Sequence, residues 1–190
     1  WKFANKRLVG VANLLFRRAD SHQPRLVHMA LEHLEDYDVD HIAITGDLSN
    51  LALDSEFARA RNILEHIDGA HERITVIPGN HDYYTYESAR RDRFERHFAP
   101  YMQSDLSMYA TESGYPFCKL ESDDVAIIGM NSAVPTPWFF ATGRVSDDQL
   151  RATKALLDDP AVRDRFKIVM IHHHLLPFEH SRVEYTRRLV

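Results

Sequence analysis

Cysteine is nearly missing from this chain: Cys118 stands alone among 190 residues. A single thiol cannot close an internal disulfide, so the fold needs no oxidising compartment and must rest on its core. Nor do 18 apolar residues run together anywhere, which excludes a helix that crosses a bilayer. Basic charge is also short, with 23 Lys and Arg against 28 Asp and Glu for a net charge of -5. That balance offers no electrostatic footprint for nucleic acid, and no specific nucleic-acid binding is expected. An acidic protein can still hold phosphate through a metal. No signal-peptide pattern, internal repeat, low-complexity segment or linker is legible, so the expectation is a single domain over residues 1–190 in the cytoplasm.

What is abundant is histidine, twelve in all. Four of them sit where apolar runs stop. Ile74-Thr75-Val76-Ile77 ends at Pro78-Gly79-Asn80-His81-Asp82, which presents an amide, an imidazole and a carboxylate after a glycine turn. His41-Ile42-Ala43-Ile44-Thr45 ends at Gly46-Asp47, and Ile168-Val169-Met170-Ile171 ends at His172-His173-His174. Open α/β sheets place their sites at the carboxyl ends of strands, so these three stops predict one site. Gly-Asp alone is a common turn pair and carries little. Gly-Asn-His-Asp directly after a strand is far rarer.

Around these stops the pattern is helical. Val27, Ala30, Leu31 and Leu34 fall at helix spacing from Pro24 to about Asp36, and Phe57, Ala60, Leu64 and Ile67 do the same from Asp54. Helix then strand then site, twice over, is the rhythm of a βα sheet. A helix ending near Phe98 carries Arg90, Arg91, Arg93 and Arg96 interleaved with Glu87, Asp92 and Glu95, which predicts a solvated, salt-bridged face. Residues 99 to 117 predict a long loop leading into a hairpin of Pro116 to Leu120 and Val125 to Met130. Ser146 and Gln149 stand in capping-box spacing before another helix. Residues 6–18 form an apolar patch between basic pairs, open to two readings: a connecting segment, or a peripheral contact with an anionic membrane.

Gly46-Asp47, then Gly79-Asn80-His81-Asp82, then a histidine cluster after an apolar strand resembles the calcineurin-like metallophosphoesterases, whose motif order is D-x-H, G-D, G-N-H-D/E, H and G-H-x-H. The resemblance runs from about Asp38 to the end of the chain. It is to bacterial phosphodiesterase-type members through T-G-D-L-S-N, G-N-H-D and the H-H-x-L-L-P ending. Two pieces of the pattern are read as missing: a D-x-H before Gly46 and a G-H-x-H after His174. The resemblance implies an α/β fold, a two-sheet αββα sandwich incomplete at both ends, and a weakly active or inactive fragment.

It also implies a chemistry. A phosphate ester resists water because nucleophile and ester repel each other and the leaving oxygen departs as a poor anion. Two divalent ions, Mn, Fe or Zn, address both problems by making hydroxide at neutral pH and clamping the phosphoryl oxygens. Carried over onto this chain, Asp47 bridges the ions while Asn80 and His172 are ligands of one of them. His173 is the rival to His172, because neighbouring strand residues face opposite ways. His81 is the acid that protonates the leaving oxygen or the group that stabilises the transition-state charge, and Asp82 holds or orients the site, a fixed tautomer needing a partner. Tyr83, Tyr84, Trp138 and Phe139 are expected as pocket walls, with His81 and Tyr83 against the phosphate-ester substrate. The alternative is a degenerate scaffold of the same fold that binds a protein partner.

Overall fold

The structure is a computed structural model that describes residues 24–37, 39–137, 139–176 and 186–190. Residues 6–18, with their membrane expectation, and Trp138 lie outside the described residues.

Helix α1 spans Pro24–Glu35, with proline in its first turn where no intrahelical donor is needed. Of its expected apolar face, Leu31 and Leu34 reach the core while Val27 and Ala30 stay exposed. Strand β1 is Ile42–Ile44, followed by α2, Asp54–Leu64. Phe57 and Leu64 are buried on the inner face of α2, as their spacing predicts. A single turn, α3 (Ala70–Arg73), leads into β2, Ile74–Val76. β1 and β2 pair in parallel with Ile42 opposite Ile74 and Ile44 opposite Val76, so both strands release their loops at the same end.

The arginine-rich segment differs from its expectation. It breaks into α4 (Tyr86–Arg90) and α5 (Arg93–Phe98) at Asp92, which adopts a φ of 46°. Arg93 is not on a solvated face but only 5% exposed. Its guanidinium donates to the Ala52 carbonyl at 3.0 Å and to Glu87 at 3.0 Å, with Asp54 3.4 Å from Nε. A buried cation with carboxylate and carbonyl partners is a cross-tie, and this one binds α5 to the loop before α2. The stretch expected as loop holds two 3-10 turns, Ala99–Met102 and Ser107–Tyr109.

Strand β3 (Phe117–Leu120) pairs antiparallel with β4 (Val125–Gly129). Helix α6 (Asp147–Leu157) starts at Ser146, whose Oγ accepts from the Gln149 amide at 3.2 Å. β5, Phe166–Met170, then pairs parallel to β4. Capping explains the start of α6, but only half of the expected box forms. The Gln149 side chain reaches instead to Asn131 at the end of β4, accepting from its N–H at 2.8 Å and donating to its carbonyl at 2.9 Å.

Side-chain alternation sorts the strands into layers. Ile42, Ile74 and Val76 pack with Leu31, Phe57, Leu64 and Phe98 on the helical side of the first sheet. Ile77, Tyr115, Phe117, Ile127 and Met170 form the layer between the sheets. On the far side of the second sheet Cys118, Ala126 and Ile128 meet Leu156 of α6. Neighbours in β3 and β4 thus go to opposite layers, as a period of two requires. Helix, sheet, sheet, helix is the αββα order that the resemblance implies. Lys119 of β3 bridges the two sheets, its buried ammonium donating to the Ile74 carbonyl at 2.7 Å and the His71 carbonyl at 2.9 Å. Desolvation lowers its pKa from the usual lysine range.

Candidate functional site

The loops that leave β1, β2 and β5 meet at one end of the two sheets. Two glycines allow the first two loops to nest. A Cβ on Gly46, whose φ is +99°, would strike the backbone nitrogen of Gly79 and come within 2.6 Å of its Cα. A Cβ on Gly79 would strike the Asp47 carboxylate, lie 2.5 Å from the Asp47 nitrogen and 2.8 Å from Cε1 of His172. Asp47 itself takes a φ of 59°, a left-handed conformation tolerated more readily by Asp than by branched residues.

Asp82 staples the nested loops together. It is fully buried, and Oδ2 accepts from the backbone N–H groups of Asp47 at 2.8 Å, Gly79 at 2.9 Å and Leu48 at 3.3 Å. Its Oδ1 accepts from the N–H and the hydroxyl of Ser49, both at 2.9 Å. Burial pushes the carboxyl up to about 7 against these five donors, and the charge of Asp47 adds to the push. Of the two roles expected for Asp82, holding the structure is the one these bonds serve; the partner of His81 Nδ1 is the carbonyl of Asn50, at 2.9 Å. Asp82 acts on loop geometry, because all its acceptor capacity is spent on backbone and Ser49.

Asp47 is half-exposed, and its Oδ1 accepts from the N–H of His81 at 2.9 Å. From the third loop, His172 brings Nε2 to 3.1 Å from Asn80 Oδ1 and 3.7 Å from Asp47 Oδ1. Its other nitrogen, Nδ1, lies 2.7 Å from the Thr45 carbonyl. His173 faces elsewhere. It is buried with Nδ1 2.8 Å from Ser132 Oγ and Nε2 donating to the Ala141 carbonyl at 3.0 Å, and desolvation, helped by neighbouring His172, lowers its pKa to about 4. Phase along the chain left these two histidines as rivals, and the structure brings His172 to Asp47 and Asn80.

The hydroxyl of Tyr83, expected against substrate, donates to Glu95 and accepts from Asn131 Nδ2 at 3.1 Å. Tyr115 donates to the same Glu95 oxygen at 3.0 Å. The hydroxyl of Tyr83 is thus engaged within the protein, and its ring packs against the first core. Tyr84 stacks on His81 with ring centroids 5.5 Å apart and planes 8° from parallel. Phe139 stands on the loop after β4 with a φ of 67° and is 77% exposed.

Among the described residues no three His, Cys, Asp or Glu side chains gather to hold a metal. The strand-end group is one carboxylate, one imidazole and one amide. Its hydrogen bonding nevertheless suits a cation. A carbonyl can only accept, so the contact with Thr45 puts the proton of a neutral His172 on Nδ1. Nε2 then faces Asn80 Oδ1 and Asp47 Oδ1 as a third lone pair, and three converging acceptors call for a positive charge between them. A ligand histidine steadied by a backbone carbonyl is the usual arrangement around bound transition metals. The donor set therefore fits part of one divalent shell.

Asn50, Gln149 and Asn131 were not singled out as site residues. Gln149 carries a sequence signal in its spacing from Ser146, and Asn50 in closing the T-G-D-L-S-N stretch. Among the described residues no helix is long and apolar enough to cross a membrane. A family model described as calcineurin-like phosphoesterase matches residues 19–189. Within that range Asp20-Ser21-His22 spells D-x-H, though it follows basic residues rather than an apolar strand and lies outside the described residues. No curated protein matches the chain.

Proposed function

Because this chain belongs to the calcineurin-like phosphoesterase family, we propose that it hydrolyses a phosphate diester with divalent metal ions held at its strand ends. The observation that carries this reading is the convergence of Asp47, Asn80 and His172 from three separate loops, with Asn80 Oδ1 3.1 Å and Asp47 Oδ1 3.7 Å from His172 Nε2. Asp47, Asn80 and His172 would hold such ions, as part of one shell. Mixed oxygen and nitrogen donors suit manganese, iron or zinc. Such ions, when bound, supply hydroxide at neutral pH and neutralise charge on the phosphoryl oxygens.

The residues of the chain do the rest. In its imidazolium form His81 would deliver a proton to the leaving oxygen; since Nδ1–H is committed to Asn50, the proton given up is the one on Nε2, which leaves the neutral Nδ1–H ring. Asp82 keeps the loops of Asp47 and Asn80 in contact. The preference for a diester rests on the likeness of Thr45 to Asn50, Gly79 to Asp82 and the His172 segment to bacterial phosphodiesterase-type sequences.

The test is manganese-dependent hydrolysis of a chromogenic bis-aryl phosphate, with an aryl monoester alongside and with His81→Ala and Asp47→Asn as controls. Turnover that a chelator abolishes and both variants lose supports the proposal. Metal binding without turnover of either ester, with manganese, iron or zinc, overturns it in favour of a scaffold that binds a protein partner through the same surface.

A further inference from the structure

His81 is held in a way its motif does not announce. The Asn50 carbonyl takes its Nδ1–H at 2.9 Å, and the loop carrying that carbonyl is itself fastened. Glu56 accepts from the N–H of Asn50 at 3.2 Å and from those of Leu51 and Leu53 at 3.0 Å. One hydrogen bond still leaves an imidazole free to swing about the line from nitrogen to oxygen. A flat neighbour removes that freedom. Tyr84, half-buried against the first core, lies parallel to the His81 ring within 8° at 5.5 Å, an offset stack.

Resting on the phosphoester hydrolysis proposed above, we infer that Tyr84 is a positioning residue: its ring holds the plane of His81 and so keeps Nδ1–H on the Asn50 carbonyl, which leaves Nε2 as the nitrogen that gains a proton in the imidazolium and hands it over. Tyr84 touches neither ester nor metal in this role. The hydroxyl of Tyr84 is not required, whereas the aromatic face is.

Two readouts test it on the full chain. Long-range proton–nitrogen spectra of the metal-free protein, labelled at histidine nitrogen, report which ring nitrogen of His81 carries hydrogen. Wild type and Tyr84→Phe are expected to show a fixed Nδ1–H form, and Tyr84→Leu an averaged one. In a series of bis-aryl phosphates with increasingly basic phenols, Tyr84→Leu should lose roughly tenfold on the most basic leaving group and little on the most acidic, because only a poor leaving group needs the proton. Tyr84→Phe should keep the wild-type slope. Should Leu unfold the protein, Tyr84→Met replaces the ring with a flexible chain and is read the same way. A fixed Nδ1–H form together with an unchanged slope in the non-aromatic variant overturns the inference. If wild type hydrolyses no ester, the proposed function fails, and the spectra alone decide the role of Tyr84.

Discussion

His172 Nδ1 lies 2.7 Å from the carbonyl oxygen of Thr45, a residue 127 positions earlier in the chain. This contact couples the end of β5 to the end of β1 and dictates which nitrogen faces Asp47 and Asn80. Replacing His172 by Ala removes that nitrogen without touching a core residue. Manganese affinity, read by competition titration, is expected to fall by about 100-fold or more, beyond what loss of an outer partner alone costs. Affinity equal to wild type would take His172 out of the metal shell.

Gly79→Ala places a methyl group against the Asp47 carboxylate, 2.5 Å from the Asp47 nitrogen and 2.8 Å from the His172 ring. Backbone cannot give way as a flexible side chain can, so the loops must separate. A loss of about 3 kcal/mol in denaturant unfolding is expected, together with loss of metal binding. A variant as stable as wild type would show that the loops nest less tightly.

Asp82→Asn exchanges one acceptor oxygen for a donor that meets backbone N–H groups already pointing inward. Asn can satisfy Ser49 or the Asp47 and Gly79 amides, but not all of them. Leaving buried donors unpaired costs about 1–3 kcal/mol each in the worst arrangement, so a drop of several kcal/mol in unfolding free energy is expected. Because Asp47 and Asn80 shift with the loops, turnover should fall even in the folded fraction.

His173 gives a pH dependence of definite sign. Its folded pKa is about 4, below its ordinary value of 6.5, so the folded state binds fewer protons between those two values. Stability contributed by neutral His173 is complete above 6.5 and is lost as pH falls toward 4, by about 3 kcal/mol at most. Asp82 works the other way, its raised carboxyl favouring the folded state as pH falls from about 7 toward 3.8. The wild-type profile mixes the two, and the difference from His173→Gln isolates the histidine. Parallel profiles for the two proteins between pH 4 and 6.5 would show that His173 is not held neutral.

Much of this architecture is local enough to read from the chain. Apolar runs of four or five residues stopping at Gly46, Pro78 and His172 mark strand ends whatever surrounds them. Ser146 caps α6 through a bond that spans three residues, and the helix at Asp54 keeps its apolar face on Phe57 and Leu64. Other features escape because they depend on distant atoms. Arg93 reads as one of four surface arginines until Ala52, 41 residues away, supplies a carbonyl for it. Gln149 reads as half of a capping box until the end of β4 arrives within 3 Å.

The candidate site divides along the same line. Residue types and their order by themselves determined that Asp47, Asn80, His81 and His172 or His173 stand at strand ends, because backbone periodicity and turn chemistry act within a few residues. Only the tertiary structure brought one of the two histidines to Asp47 and Asn80, gave Asp82 the loop amides that it staples, and gave His81 the Asn50 carbonyl and the Tyr84 ring. Those outcomes rest on parallel pairing of β1 with β2 and of β4 with β5, which brings loops some 30 to 130 residues apart to one end of the sheets. Hydrogen bonds and ring contacts act over a few ångströms, so no spacing along the chain can specify them before the strands have paired.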